Sequence, residues 1–398
     1  MRKKVLLFST LSPYPFWAGS EKFWFDFVTD ERVGSVFDFH LCLADSPATR
    51  KKAAIAEECG ATASFYMHFN VDFPRRNIYR LSDRLRRKGF RTLPWYDKIA
   101  AERYDLVWFC VSTLSELLDL QYPIKLCRKT ETPYWISLQH SFEDFFFTSD
   151  REIDAISDIA RSAISFIFIA KRNRKTLERA IGGNLDNAFN SANALPGKKM
   201  KEAKRIAASA PVGFSDRARF FNLGRFSPES KGQHLLLEAF AGNEWKERDW
   251  SLSFIGVSES GRSFFERLIA YFELDAGKVD FVPFTEDVFS EIAKHDVLLM
   301  PSLAEGTPYA MIESMACGRP AMGTPVGGIP ELIVDAESGW LARTTDVSDI
   351  AAALDRLWNE RSLWHAFGEK AQASIEANNN EENTVRDLLA KMVEDTSA

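Results

Sequence analysis

The sequence predicts an α/β protein of two Rossmann-like domains, each a doubly wound parallel sheet, facing a central crevice. Three observations lead there. At 398 residues the chain is longer than one hydrophobic core usually serves, and an apolar content of 45% is enough for two. Short apolar runs alternate with helix-like stretches, the pattern of parallel strands joined by crossover helices. A basic stretch rich in small residues divides that alternation into two series.

The first series places strands at residues 5–8, 36–43, 106–110, 134–138 and 164–170, giving a domain over residues 1–195. Residues 196–216, PGKKMKEAKRIAASAPVGFSD, carry prolines near each end and read as the interdomain segment. The second series places strands at 219–224, 251–255, 279–282, 297–300 and 320–323, within a domain over 217–375. Helices follow to the end, with residues 376–398 as a separate C-terminal segment and no internal repeat.

Several classes of partner and compartment are disfavoured. A formal charge of −6 gives no global attraction to nucleic acid. Cysteines at 42, 59, 110, 127 and 317, odd in number and without a C-x-x-C pair, fit a reducing cytoplasmic compartment better than a disulfide framework. The opening MRKKVLLFSTLSPYPFWAGS has a short apolar core interrupted by Ser9, Thr10 and Ser12, so it reads as the first strand and not as a secretory signal. No apolar run approaches the roughly 20 residues of a membrane span, so any membrane contact is expected to be peripheral. There is no D-x-D pair and no His/Cys group at metal-ligand spacing, so no metal and no other cofactor is expected.

The densest chemistry lies in residues 301–333, PSLAEGTPYAMIESMACGRPAMGTPVGGIPELI, which follow a short apolar strand. Thr307 reads as a helix N-cap and Pro308 as the first helical position, giving a helix to about Cys317 with Gly318 past its end. The free amides of that helix start attract phosphate or polar oxygens, and Gly306 lets a ligand approach the backbone. Glu305 stands at the mouth of the turn and Glu313 in the helix's second turn, with seven residues between them. Carboxylates at such positions suit vicinal hydroxyls. Upstream, Arg225 and Lys231 fall in the loop between a strand at 219–224 and a helix starting at Gln233, two cations suited to a diphosphate.

Gly224-Arg225-Phe226, Lys231-Gly232, Glu305-Gly306 with Glu313, and Gly327-Gly328-Ile329-Pro330-Glu331 together resemble glycosyltransferase family 4, which has the GT-B fold. The match is dense in the second half and weaker in the first. The resemblance implies retaining transfer of a sugar from a nucleotide-diphosphate donor, which acts as co-substrate, to a glycan or lipid-linked acceptor in cell-surface polysaccharide or lipopolysaccharide assembly. It puts Arg225 and Lys231 on the diphosphate, Glu313 on the ribose hydroxyls and Glu305 near the donor sugar. Gly19, in the turn-rich loop after the first strand, matches the second of the family's frequent glycine pair, while Ala18 stands where the first would be. His140, directly after the 134–138 strand, matches a histidine that touches the donor sugar or its phosphate. In the family the departing phosphate itself takes the acceptor proton, and the last helix crosses back to the first domain. Glu305, His140, Arg225 and Lys231 are thus the catalytic candidates, joined for donor binding by Gly19, Val282, Gly306, Thr307 and Glu313. Val282 opens the stretch Val282-Pro283-Phe284 on which donor selection is expected to depend.

Arg75, Arg76, Arg80, Arg84, Arg86, Arg87, Lys88 and Arg91 crowd one segment in which Ile78, Leu81 and Leu85 recur at helical spacing. A basic amphipathic helix suits an anionic membrane surface or an anionic lipid-linked acceptor, and equally a solvated charged face. Plainer readings also exist for the site residues: surface ion pairs for Arg225 and Lys231, and a packed or capping role for His140. Competing functions are a nucleotide-sugar epimerase of the same fold and a non-catalytic nucleotide-sugar-binding homologue. A nicotinamide dehydrogenase is disfavoured because no G-x-G-x-x-G follows the first strand.

Overall fold

The computed structural model describes residues 2–10, 19–66, 102–143, 145–147, 149–210, 212 and 217–397. The basic segment at 75–91 and the loop at 13–18 lie outside them. The chain forms two compact units, Met1–Ser191 with Val385–Ala398, and Ala192–Thr384.

The first unit is built on a seven-stranded sheet of β1 (Lys3–Ser9), β2 (Phe37–Ala44), β3 (Thr62–Tyr66), β4 (Leu106–Val111), β5 (Tyr134–Leu138), β6 (Ser165–Phe168) and β7 (Ala188–Asn190). Its order is β3-β2-β1-β4-β5-β6-β7 and every pair is parallel. Leu7 lies between Leu41 of β2 and Trp108 of β4, so the order reverses at β1, the switch point of a doubly wound sheet. Both faces are covered, which is why β4 and β5 read as continuous apolar runs. Val107, Phe109, Ile136 and Leu138 pack on one side with Leu117, Ile124 and Ile156. Leu106, Trp108 and Trp135 pack on the other with Phe23, Trp24 and Phe27 of the helix Gly19–Val28.

That second face also takes Val385, Leu388 and Met392 of the last helix, Glu381–Ser397, which explains why the chain from Val385 onward belongs to the first unit. A polar anchor adds to this burial: Asp395 accepts from Trp135 Nε1 at 2.8 Å and Ser165 Oγ at 2.6 Å, with Lys391 Nζ at 2.7 Å.

The second unit carries a six-stranded sheet of β8 (Ala218–Leu223), β9 (Trp250–Ile255), β10 (Val279–Val282), β11 (Val297–Met300), β12 (Ala321–Gly323) and β13 (Gly339–Leu341). The order is β10-β9-β8-β11-β12-β13, again parallel. Phe220, Phe254 and Leu299 pack on one face with Leu236, Phe240, Phe265 and Leu354. Phe221, Leu298 and Met300 pack on the other with Met311, Ile312 and Met315. Arg319, almost fully buried, donates to the carbonyls of Ala293, His295 and Cys317 and so satisfies the ends of two helices, Val288–Ile292 and Tyr309–Ala316.

Three strands carry no clear apolar signal. Two of them, β3 and β7, are half-exposed, and β13 is three residues long and starts with glycine. Residues 196–216, expected as a connecting segment, contain the helix Gly197–Ser209, whose Ala203 and Ile206 lie in the second unit's core. Those two apolar positions lie three residues apart in a stretch rich in lysine, too sparse a pattern to read as a helix from sequence.

Candidate functional site

The candidate residues of the second unit gather at the carboxyl ends of its strands. Gly224 N–H donates to Ile255 O at 3.0 Å and Gly256 N–H to Val282 O at 2.8 Å, carrying the ladder just past β8, β9 and β10. Arg225 follows, half-buried, with its main chain held by a buried amide network. Gln233 Nε2 donates to Arg225 O at 3.0 Å, and Gln233 Oε1 accepts from Ser227 N–H at 3.1 Å. Asn222 Nδ2 donates to Leu299 O at 2.8 Å, which ties the same corner to β11.

Lys231 does not lie in an open loop, as the sequence suggested. It ends a one-turn helix, Pro228–Lys231, and Gly232 follows with φ +60°. Pro228 opens that turn at a position where its fixed φ is favourable. A Cβ on Gly232 would sit 2.0 Å from the carbonyl oxygen of Pro301, so only glycine permits this approach of the two chain segments. Leu303 N–H donates to Ser230 O at 2.8 Å and locks the segments together. The result is an ion pair between Lys231 Nζ and Glu305 Oε1 at 2.6 Å. The Glu305 side chain is 7% exposed and the Lys231 side chain 24%, so the carboxylate is enclosed while the ammonium keeps a route to solvent. Ser302 Oγ donates to the same carboxylate oxygen at 2.9 Å, and Thr324 Oγ1 to Ser302 O at 2.5 Å.

The turn after Glu305 also differs from expectation. Thr307 is not the N-cap; Pro308 is, in extended conformation, and the helix runs Tyr309–Ala316. Tertiary contacts account for this, because Thr307 O accepts from Asn193 Nδ2 at 2.5 Å and Gly306 O from Gly328 N–H at 2.7 Å. Gly327, at φ +52°, brings its own backbone so near Glu305 that a Cβ would lie 2.2 Å from the Glu305 carbonyl oxygen. Gly306 and Thr307 are consequently buried. Gly306 O thus takes part in a clamp between two stretches of backbone.

Glu313 stands in the second turn of the helix, as expected, with 9% of its side chain exposed. Lys199 Nζ lies 3.6 Å from its Oε1. Sequence reasoning missed Lys199 because its helix was read as a connecting segment, and one lysine in a run of lysines carries no distinguishing signal. Val282 ends β10 half-buried against the core, and Phe284 beyond it is 58% exposed.

His140 and Gly19 belong to the first unit. His140 N–H donates to Ser112 O at 3.0 Å, placing the residue at the carboxyl edge of β4 and β5. Gly19 is the first residue of the helix Gly19–Val28. Lys231 and Glu305 thus meet directly, with Glu313 on the adjoining helix and Arg225 at the same strand edge. Arg75, Arg76, Arg80, Arg84 and Arg87 fall outside the described residues. Among the described residues no helix is long and apolar enough to cross a membrane, and no three or more His, Cys, Asp or Glu side chains are grouped to hold a metal ion.

Residues 217–360 match the family described as glycosyl transferases group 1. The N-acetyl-alpha-D-glucosaminyl L-malate synthase of Bacillus anthracis is 34% identical over 98 residues, 25% of this chain and 26% of that protein. The amylovoran biosynthesis glycosyltransferase AmsK of Erwinia amylovora is 41% identical over 78 residues, 18% of this chain and 19% of that one. The chain thus spans about a quarter or less of the length of these two relatives. Among solved structures, Anabaena HepE in complex with UDP superposes with a TM-score of 0.71 at 17% identity, over 98% of this chain and 100% of that one. Likeness at that identity shows the fold: the two parallel-sheet units are those of GT-B.

Proposed function

We propose that this chain is a retaining, metal-independent glycosyltransferase of family 4, transferring a hexosyl or related group from a nucleotide-diphosphate sugar to a glycan or lipid-linked acceptor. The observation that carries the proposal is the junction of Lys231 with Glu305, two residues 74 positions apart, at the strand edge that also bears Arg225. The group 1 match over 217–360 covers this junction and Glu313. Amylovoran biosynthesis, named for one relative, favours a role in polysaccharide assembly.

In this reading Lys231 and Arg225 receive the diphosphate. Glu305 holds the Lys231 ammonium at one position and stands near the donor sugar. Glu313 accepts from the ribose hydroxyls, and the Lys199 cation orients that carboxylate. His140, with the loop leading to Gly19, serves the sugar and acceptor side. As the bond between the anomeric carbon and the phosphate oxygen breaks, negative charge grows on the leaving diphosphate, where fixed cations act most strongly. The acceptor hydroxyl attacks the same face of the sugar and passes its proton to the departing phosphate oxygen, so configuration is retained. The two cations would neutralise the charge that a bridging metal neutralises in other enzymes.

A thermal-shift comparison tests this. UDP-, GDP-, ADP- and dTDP-sugars and their free diphosphates are added with EDTA present, since a ligand that binds only the native state raises the melting temperature. The HepE complex makes UDP the first choice. A shift with one nucleotide class is expected, followed by release of that diphosphate when acceptor is supplied. Absence of any shift, or isomerisation of the sugar without an acceptor, would overturn the proposal.

The basic segment is proposed to meet an anionic membrane or the anionic head of a lipid-linked acceptor. Liposomes containing phosphatidylglycerol should sediment the wild-type protein at low salt and leave an Arg80→Glu, Arg84→Glu, Arg87→Glu variant in the supernatant. Equal sedimentation of both proteins, or of neither, removes the membrane role.

A further inference from the structure

We infer that Lys199 and Glu313 together seat one hydroxyl of the donor's ribose, an inference that rests on the assignment of Glu313 to that sugar. Both residues belong to the second unit. Lys199 Nζ lies 3.6 Å from Glu313 Oε1, whereas Lys231 Nζ lies 2.6 Å from Glu305 Oε1. A hydrogen bond from an N–H to an oxygen spans about 2.7–3.2 Å. The Lys231 pair is therefore closed, and the Lys199 pair stands open by comparison.

The elements that carry the two residues fix this spacing. Lys199, Ala203 and Ile206 recur at positions i, i+4 and i+7 of the helix Gly197–Ser209, so they share one face. Ala203 and Ile206 lie in the same core as Ile312, Met315 and Ala316 of the helix Tyr309–Ala316, which turns Lys199 toward Glu313. The start of the lysine's helix is anchored by Gly197 N–H, which donates to Glu381 Oε2 at 3.2 Å. Phe289, itself buried, sets its ring centroid 5.9 Å from Lys199 Nζ, so the ammonium has an apolar wall on one side and a carboxylate on another. The Lys199 side chain is 37% exposed and that of Glu313 9%, so the approach to the pair is from the lysine's side.

The chemistry of the pair narrows the ligand. An ammonium only donates and a carboxylate only accepts, while a hydroxyl does both. A hydroxyl oxygen fits about 2.8 Å from each of two atoms that stand 3.6 Å apart, accepting from Lys199 and donating to Glu313. A phosphate oxygen only accepts, and Glu313 would repel it. A deoxy carbon answers neither group and leaves both without the partner that water supplied. The pair therefore selects nucleotides that carry the hydroxyl over those that lack it.

The test is calorimetric titration of wild type and Lys199→Met with UDP, GDP and ADP, and with the 2′-deoxy and 3′-deoxy forms of whichever binds. Methionine keeps an unbranched stem and a good helix preference while removing the ammonium. Wild type is expected to lose about ten-fold or more in affinity for one of the two deoxy forms. In Lys199→Met that loss should shrink to about three-fold or less, with the melting temperature near the wild-type value. The ratio of parent to deoxy affinity is decisive, because a lysine that only packs the helix, or only adds charge near the diphosphate, changes both affinities alike. A wild-type ratio retained in Lys199→Met removes Lys199 from the ribose and leaves Glu313 there. Equal binding of the parent and both deoxy forms by wild type overturns the Glu313 assignment and this inference with it, and a protein that binds none of the three diphosphates loses the donor-site reading as a whole.

Discussion

Lys231→Ala should lower turnover by about ten- to a thousand-fold while the protein still folds. The ammonium sits 2.6 Å from Glu305 and keeps access to solvent, so it is positioned by one anion and remains open to another. Its greatest value comes when the leaving diphosphate gains charge, so kcat should fall more than donor affinity. Stability should fall by only about 1–3 kcal/mol, the cost of leaving a carboxylate with one partner fewer. Ser302 Oγ still reaches Glu305, which limits that cost. Steady-state kinetics with the nucleotide sugar found by thermal shift, together with a melting curve, decide the matter. Wild-type turnover in Lys231→Ala would remove the lysine from the mechanism, and a protein that failed to fold would make the pair a structural one.

Gly232→Ala is expected to cost about a hundred-fold in activity, although Gly232 has no side chain to contribute. Alanine at φ +60° is strained by roughly 1–2 kcal/mol. Its Cβ would also meet the Pro301 carbonyl at 2.0 Å, a backbone atom that cannot rotate aside. Relief of this contact requires the Lys231 turn and the segment leading to Glu305 to separate, which breaks the geometry both residues need. The signature is distinct from that of Lys231→Ala: melting temperature and kcat fall together, and donor binding weakens with them. Retention of wild-type kcat in Gly232→Ala would show that the close approach of these two segments does not set the catalytic geometry.

In the second unit β11 was legible because it is buried on both faces and appears as an apolar run at the expected residues. Half-exposed strands such as β3 and β7 lack that signature, and so does the Gly197–Ser209 helix, whose polar face dominates its composition. The start of the Tyr309–Ala316 helix shows a different kind of failure. Local chemistry favours Thr307 as the cap, yet its carbonyl is claimed by Asn193, and its neighbour Gly306 is claimed by Gly328. Tertiary partners outweigh a local preference whose worth is about 1 kcal/mol.

The sequence by itself determined the α/β class and most of the two series of strands, and it singled out Arg225, Lys231, Glu305 and Glu313 as candidates, because burial periodicity and charged residues beside glycine turns are local properties. Only the tertiary structure decided that Lys231 pairs with Glu305 and that Lys199 approaches Glu313. Each of these depends on which distant backbone segments come together. A hydrogen bond or an ion pair forms over about 3 Å, and no pattern along the chain specifies separations of that size between residues tens of positions apart.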